Sequence, residues 1–460
     1  MYTSDWSFDL QNTVDKLEEQ KRRIIESETK VEEARRTAIT DIPKIQKVQP
    51  YLRNRQDFIL YYSPKLVSIG PIHGGDKDSQ EKLKGGERYK MRWAALYLKD
   101  TNQNAQLLFG KIRNELPALM DLYAEEVIEG FRGNNKEEEL AWMFLLDGCA
   151  VLEFIRNHKE GTYNPEEQLK IKVDQLVLVQ QDLLLLENQL PYRLLTLLSN
   201  VSENELNQWI ISFLKTHPMT TSTIGTGFSN GSEEVKLTVD HHRPPHLLHL
   251  LRQIILGNRS KNYGGGSGWG KSERFETYRN IQELKAAGIA VTKWKVKDKR
   301  LTDVDFYSGC LSGELRLPTI YMDLTTPSTY LNLMAYEACQ DFEYDLEITS
   351  YVQFLTSLIK HPDDVKELRS CGCMINFFGS DDEIAHAFSI IAAHSGPNTT
   401  IPDPVRRAIN RYFRSRYRPW LAQAYHAYFS NSGSFIAFIA ASMALALTFI
   451  QTWFTVRCSK

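Results

Sequence analysis

Apolar residues recur three and four positions apart over much of the chain, which is the spacing of a helix with one buried face. This pattern predicts a series of helices from residue 79 to about 198, and it continues over residues 206–214. Two stretches, AWMFLLDGCAVLEFI and QQDLLLLENQLPYRLLTLL, are so apolar that they predict central helices of one core. Helical patterns return over residues 330–368 and 381–393. The chain is therefore predicted to be mainly α-helical.

The period changes between residues 290 and 323, where apolar and polar residues alternate. VTKWKVKD, LTDVDFYSG and ELRLPTIYMD are separated by turn residues, so they predict a small antiparallel β meander. Upstream, Leu66–Ile69 has the composition of a short strand that ends in a Gly-Pro turn. Residues 216–240 and 257–272 are rich in small and polar residues and predict loops. The predicted fold class is α+β, mainly α with a small β element.

Residues 1–40 are predicted to form a charged helix that precedes the main domain at residues 41–430. Apolar residues follow a heptad along it, at Leu10, Val14, Leu17, Ile24 and Val31. Lys21 and Glu28 interrupt the apolar seam that a coiled coil needs. A short coiled coil and a solvated helix both stay open.

The longest uninterrupted apolar stretch runs from Phe435 to Val456 and has no charged residue, proline or glycine. As a helix, its 22 residues span roughly 33 Å, against about 30 Å for the hydrocarbon core of a bilayer. A buried core helix is the alternative, but apolar runs of that kind are usually nearer 10–14 residues. The stretch therefore predicts a transmembrane helix, with the lipid bilayer as its partner.

We expect a single-pass C-terminal anchor inserted after translation, because only residues 457–460 follow the helix and the N-terminus lacks the apolar region of a signal peptide. Six arginines lie between residues 406 and 418, whereas only Arg457 and Lys460 follow the helix. The positive-inside rule then places the large domain on the cytoplasmic side of the plasma membrane or an internal membrane. Four glycosylation sequons, usable only in a luminal or extracellular domain, begin at Asn200, Asn230, Asn258 and Asn398.

The overall charge and the cysteines narrow the function classes. A formal charge of −2 over 460 residues lacks the basic excess of a nucleic-acid-binding protein, so no nucleic-acid partner is expected. The six cysteines are dispersed along the chain and do not form the disulfide framework of a small secreted protein. Cys371-Gly-Cys373 also lacks the two-residue spacer of zinc or thioredoxin motifs. The basic tract RRAINRYFRSRYRPW allows two interpretations, which are contact with anionic lipid headgroups and an amphipathic helix with its aromatics packed inward.

Residues 265–272, GGSGWGKS, fit the phosphate-loop formula. In that formula Gly270 and neighbouring amides, Lys271 and Ser272 are the candidate nucleotide-binding groups. A working phosphate loop follows a buried strand, yet the preceding GNRSKNYG is polar and turn-forming. A glycine-rich linker that fits the formula by chance is therefore favoured, and no cofactor is expected.

Two histidines are candidate metal ligands, because His246 and His249 would share one helix face in HHRPPHLLHL. No cysteine or carboxylate at ligand spacing completes such a site, so a packing role is favoured and no metal is predicted.

Three carboxylates, those of Asp147, Glu187 and Glu337, lie in unusually apolar surroundings. Such a group pairs with a cation, for example Lys90 or Arg193, more often than it serves as a catalytic acid or base. No nucleophile, base and orienting group occur together, and the protein is predicted not to be an enzyme.

Several motifs resemble those of the plant family known as domain of unknown function 247. They are SPKLVSIGPIHGG, the E-x-x-K spacing of Glu87 and Lys90, FLLDGC, DLLLLENQLPY, HLLHLLR, ELKAAGI, LPTIYMD, NLMAYEAC and ITSYVQFLTSLI. Their order and spacing agree from about Asp41 to the end, and a single C-terminal helix belongs to the same pattern. The chain departs from the pattern at His73-Gly74, where the family usually has two histidines, and at Gly86, where it usually has methionine.

The resemblance implies no catalytic residues, because the family has none established. Some members are implicated in reproduction, including self-incompatibility in grasses. The sequence thus favours a membrane-anchored, non-enzymatic interaction or recognition protein whose partner is another protein, with self-incompatibility as a further expectation. The alternative is a nucleotide-binding enzyme that uses residues 265–272.

Overall fold

A computed structural model gives the fold of most of the chain. It describes residues 19, 21–22, 43–74, 83–132, 136–158, 165–221, 244–257, 279–295, 300–309, 312–339, 341–342, 346–394, 404–414 and 432–458. The predictions for residues 1–40 fall almost entirely outside these ranges. So does most of the loop predicted at 216–240, although its first residues form a short helix, and all of the loop at 257–272 beyond Gly257.

Helices make up most of the described chain, which confirms the prediction of a mainly α-helical fold. The first half contains a 3₁₀ turn at Glu129–Phe131 and the helices α1 (Pro50–Arg53), α2 (Phe58–Tyr62), α3 (Pro71–Gly74), α4 (Lys84–Asp100), α5 (Ala105–Met120), α6 (Glu125–Ile128), α7 (Lys136–Arg156), α8 (Pro165–Leu169), α9 (Val173–Asp182), α10 (Tyr192–Leu198), α11 (Glu203–Lys215) and α12 (Pro218–Thr221). The second half contains α13 (Leu247–Leu256), α14 (Ile281–Ala286), α15 (Thr326–Glu337), α16 (Glu347–Leu358), α17 (Pro362–Ser370), α18 (Asp381–His394), α19 (Pro404–Arg414) and α20 (Ser432–Cys458).

The centre of the first half is α7, where apolar residues occupy nearly every helix face. Thirteen of its residues between Leu140 and Ile155 are buried. Helices α4, α5, α10 and α11 all pack against it. A helix that is apolar on all sides needs cover on all sides, and these four helices provide it.

The second predicted central helix, QQDLLLLENQLPYRLLTLL, is not continuous. Helix α9 ends at Asp182 and α10 begins at Tyr192, and the chain between them is irregular although Leu183–Leu186 are buried. Pro191 has no N–H to continue a helix. The apolar density correctly predicted burial, but the polar side chains of this stretch are engaged with backbone groups elsewhere, as described below.

Leu66–Ile69 is not a strand, contrary to the prediction. Its N–H groups donate to the side chains of Asp182 and Asn188, so no neighbouring strand is needed to satisfy them. The Gly-Pro turn is present. Gly70 has φ of +74°, and a Cβ added there would lie 2.9 Å from the carbonyl oxygen of Gln189.

Strands occur where the alternation predicted them, but they do not form an antiparallel meander. The first sheet contains β1 (Ile289–Lys293), β2 (Asp305–Ser308) and β3 (Gly313–Leu317) in the order β1-β3-β2, with β1 parallel and β2 antiparallel to β3. Strand β3 lies at the centre of this sheet, and its alternate residues are buried. Strand β2 lies at the edge and is largely exposed. The next strand, β4 (Ile320–Met322), pairs in parallel with β5 (Met374–Asn376), a strand that the periodicity did not reveal.

The core of the second half is built on α15, in which all twelve residues are buried. Helices α2, α16 and α18 pack around it. Helix α19 lies against β2 and buries Ile409 and Tyr412, and the Tyr412 hydroxyl donates to the carbonyl of Ala287 at 3.2 Å. In this part of the basic tract the aromatic residue Tyr412 packs inward, whereas Arg407, Arg411 and Arg414 are exposed.

Candidate functional site

The most distinctive candidate site is α20, which contains the predicted span Phe435–Val456. Within it, Ile436–Thr455 is long and apolar enough to cross a membrane, and none of this stretch is buried in the described chain. Its hydroxyl groups are satisfied inside the helix, because Ser442 and Thr448 donate to the carbonyl oxygens four residues earlier, at 2.8 and 2.7 Å. Thr452 and Thr455 do the same. These four hydroxyl groups therefore need no hydrogen-bond partner from their surroundings, which suits an apolar environment.

The structure brings the two candidate metal ligands together around one tyrosine. His246 caps α13, accepting a hydrogen bond from the His249 N–H, and the imidazole of His249 is 2.8 Å from the Tyr336 hydroxyl. Burial, together with the charge of Arg252, lowers the pKa of His249 to about 3, and burial holds the pKa of His246 well below its usual value. Both rings are thus neutral. Among the described residues no group of three potential ligands includes them.

The three carboxylates that lie in apolar sequence, those of Asp147, Glu187 and Glu337, bind cations and backbone amides. Asp147 pairs with Lys90 at 2.8 Å, as the sequence suggested. Burial opposes the charge of Lys90, but the carboxylates of Asp147 and Glu87 outweigh it and raise the pKa of Lys90. Arg193, the other suggested cation, pairs instead with Glu115.

The other two carboxylates join separate parts of the chain. Glu337 accepts a hydrogen bond from Arg252 at 2.7 Å and caps the start of α16 through the Thr349 N–H at 2.8 Å. Glu187 accepts from the Val48 N–H at 2.7 Å and also contacts Arg53. The buried charges of Glu187 and Glu337 are therefore balanced by cations and backbone N–H groups that hold the fold together.

Sequence reasoning missed the largest polar feature, which we call the amide clamp and define as Asp182, Asn188 and Gln189. The Asp182 carboxylate accepts from the N–H groups of Lys65, Leu66 and Val67 at 2.7–2.9 Å. Asn188 accepts from Ile69 at 2.6 Å, and Gln189 accepts from Leu248 at 3.1 Å. The signal for the clamp was present, because these three polar residues interrupt an otherwise apolar run.

The nucleotide-binding candidates Gly270, Lys271 and Ser272 lie outside the described residues. Asp323 ends the apolar run PTIYM and is the nearest acidic residue that could act with residues 265–272 in a nucleotide site. In the structure it caps the first turn of α15. Its carboxylate accepts from the N–H groups of Thr325 and Thr326, both at 2.9 Å.

Comparison with known proteins identifies the family. Residues 45–447 match the profile of DUF247, described as a plant protein of unknown function. The chain belongs to this family. It is 27% identical to UPF0481 protein At3g47200 of Arabidopsis thaliana over 424 residues, which cover 85% of this chain and 82% of that protein. It is also 27% identical to putative UPF0481 protein At3g02645 of the same plant over 176 residues, 38% of this chain and 32% of that protein.

No solved structure matches the chain, so the contacts above give the DUF247 motifs their physical account. SPKLVSIGPIHGG and DLLLLENQLPY contact each other through the amide clamp. HLLHLLR joins them through Leu248 and supplies Arg252 to Glu337. The motifs that carry the family resemblance therefore hold distant parts of the fold together.

Proposed function

We propose that this protein is a membrane-anchored interaction protein without catalytic activity, with its large domain on the cytoplasmic side. The anchor rests on one observation, which is that Ile436–Thr455 is long and apolar enough to cross a membrane and is not covered by the described chain. Exposed apolar surface costs roughly 25 cal/mol per Å² in water, and a bilayer removes that cost. A buried core helix, the alternative from the sequence, would contact the rest of the fold.

The non-enzymatic part of the proposal is supported by the roles of the buried titratable groups. Asp147, Glu187 and Glu337 are paired with cations or backbone amides. His246 and His249 are neutral and pack on Tyr336. A general base needs a side chain poised to receive a proton, and these side chains are committed to the fold instead.

The anchor is tested by extracting membranes that contain the full chain with alkaline carbonate. We expect the wild-type protein to stay in the membrane pellet. The double variant Ala444→Arg/Leu447→Arg should move to the supernatant, because each charge at the bilayer centre costs about 2.5–3.5 kcal/mol. The matched control Thr455→Arg places its charge beside Arg457 at the end of the span and should stay in the pellet. Extraction of the wild-type protein would refute the anchor.

The rival function is a nucleotide-binding enzyme that uses residues 265–272. Equilibrium binding of magnesium-ATP and magnesium-GTP to the full chain separates the two. We expect no saturable binding to the wild-type protein. Binding that is lost in Lys271→Ala and kept in the neighbouring Lys261→Ala would contradict the non-enzymatic proposal.

The resemblance to family members implicated in self-incompatibility extends the proposal to recognition during reproduction. The partner would then be a protein of the reproductive tissue that expresses this chain. Disruption of the gene, followed by self- and cross-pollination, tests this extension. An unchanged seed set in both crosses would remove it and leave the anchored interaction protein intact.

A further inference from the structure

Helix α19 has two chemically opposite faces. Val405, Ile409 and Tyr412 lie on one side, where Tyr412 packs edge-on against Phe306 at 5.9 Å between ring centroids. At 100° per residue, Arg407, Arg411 and Arg414 fall within about 60° of one another on the other side. We call these three arginines the arginine ridge.

The arginine ridge is exposed along its whole length. Helix α19 contains no acidic residue, so no carboxylate of its own helix offsets the charge. In the described part of the chain, Arg407 and Arg411 form no ion pair. The three guanidinium groups follow a stripe of roughly 10 Å, since seven residues of helix rise about 1.5 Å each.

The ridge is also close to the apolar helix along the chain. Helix α19 ends at Arg414 and α20 begins at Ser432. The seventeen residues between Arg414 and Ser432 span at most roughly 60 Å when extended, so an anchored α20 keeps the ridge within that distance of the bilayer surface. Tethering of this kind raises the effective concentration of the second binding partner, and weak contacts then become occupied.

We propose that the arginine ridge binds the headgroups of anionic phospholipids in the bilayer that holds α20. This inference rests on the proposed anchor. Arginine suits the partner because its planar guanidinium group donates paired hydrogen bonds to phosphate oxygens. Nucleic acid carries the same phosphate chemistry, but the formal charge of −2 and the nearby apolar helix favour the lipid surface. The ridge would hold the large domain against the membrane in a fixed orientation.

The test uses the full chain reconstituted into phosphatidylcholine bilayers with a trace of spin-labelled phosphatidylserine or spin-labelled phosphatidylcholine. Electron spin resonance gives the association constant of each lipid with the protein, and their ratio reports preference for the anionic lipid. We expect the wild-type protein to prefer phosphatidylserine several-fold at low salt. In Arg407→Gln/Arg411→Gln/Arg414→Gln the ratio should fall at least twofold, and in the wild-type protein high salt should lower it as well.

Two matched variants control for charge and for folding. Arg92→Gln/Lys99→Gln/Lys111→Gln removes three charges from exposed positions on α4 and α5 and should keep the wild-type ratio. Replacing the three ridge arginines by lysine keeps the charge and should keep most of the preference.

A ridge glutamine variant with the wild-type ratio would overturn the inference, and so would an equal loss in the α4–α5 control. Loss in the lysine variant equal to that in the glutamine variant would likewise overturn it, because charge would not be the cause. Failure of the anchor gives a different result, namely no motionally restricted lipid of either kind.

Discussion

At the scale of single residues, buried polar groups act as fixed parts of the fold. The sequence indicated that a carboxylate in apolar surroundings such as Asp147 would pair with a cation such as Lys90, and the two side chains do pair. The role of Asp182 could not be predicted, because its partners are backbone N–H groups more than 100 positions away. Every residue except proline has a backbone N–H group, so the sequence does not show which of these groups a side chain will bind.

The buried histidines predict a loss of stability in mild acid. Burial lowers the pKa of His158 and His217 to about 4, and that of His249 to about 3, from 6.5. At these histidines the unfolded chain therefore binds protons between pH 6.5 and 4 that the folded chain does not, so their contribution to the free energy of unfolding falls as pH falls. Each histidine should remove about 1.4 kcal/mol per pH unit.

Denaturant titrations of the detergent-solubilised chain between pH 7 and 5 measure this loss. His249→Gln should lower the pH slope by up to one proton relative to the wild-type protein. Equal slopes in the two proteins would contradict the assignment of the slope to burial.

Cys371 is predicted to be the most reactive of the described cysteines. It lies half-exposed at the end of α17, and a hydrogen bond from Cys373 lowers its pKa to about 7. Burial raises the pKa of Cys149 to about 12. In a background of Cys310→Ser and Cys458→Ser, iodoacetamide should alkylate Cys371 first, at a rate that reaches half its maximum near pH 7.

Peptide mass spectrometry after brief alkylation locates the label. Cys373→Ala removes the hydrogen bond and should move the half-maximal rate to higher pH. First labelling at Cys149 would show that access to Cys371 is blocked.

At the scale of elements, the sequence predicted helix and strand positions better than the way they pair. The alternation over residues 290–323 located β1 to β4, but alternation is the same in parallel and antiparallel strands. The three residues of β5 are too few to show a period. The segment between Asp182 and Tyr192 is irregular although the sequence predicts helix there. A high density of leucine predicts that a segment is buried, but it does not predict the backbone conformation.

The packing of α4 against residues 63–70 makes a prediction about two adjacent glycines. A Cβ added at Gly86 would overlap the carbonyl oxygen of Leu66, whereas one added at Gly85 would meet nothing within 4 Å. Gly86→Ala should therefore destabilise the fold by about 1–3 kcal/mol or more. Gly85→Ala should be neutral or stabilising by up to about 1 kcal/mol, because alanine favours helix.

Thermal unfolding of the two variants gives the comparison directly. A similar melting temperature for both would mean that α4 can move away from Leu66. Any residue with a Cβ at position 86 therefore requires a wider spacing between α4 and Leu66.

At the scale of the whole molecule, the proposed anchor raises the question of which side of the membrane the large domain occupies. The family match covers residues 45–447 and so includes most of that helix. The positive-inside rule favours a cytoplasmic domain, because more arginines precede α20 than follow it.

This orientation predicts that the sequon at Asn200 is unmodified although the residue is exposed. Endoglycosidase treatment of the full chain from plant cells should leave its electrophoretic mobility unchanged. A version with a cleavable signal peptide forces the domain into the lumen and should be glycosylated, with one glycan fewer in Asn200→Gln than in the version that keeps Asn200. Glycosylation of the unaltered chain would reverse the topology.

The long separation between hydrogen-bonded partners sets an order of assembly during synthesis. The Lys44 N–H donates to Asp341, 297 positions later, and the Tyr61 carbonyl accepts from Asn332, 271 positions later. At roughly 5–20 residues per second, the early segment leaves the ribosome about 15–60 s before these partners exist. The nascent chain must therefore keep Lys44 and Tyr61 without these two partners for that time, which makes the chain around them a candidate for chaperone binding.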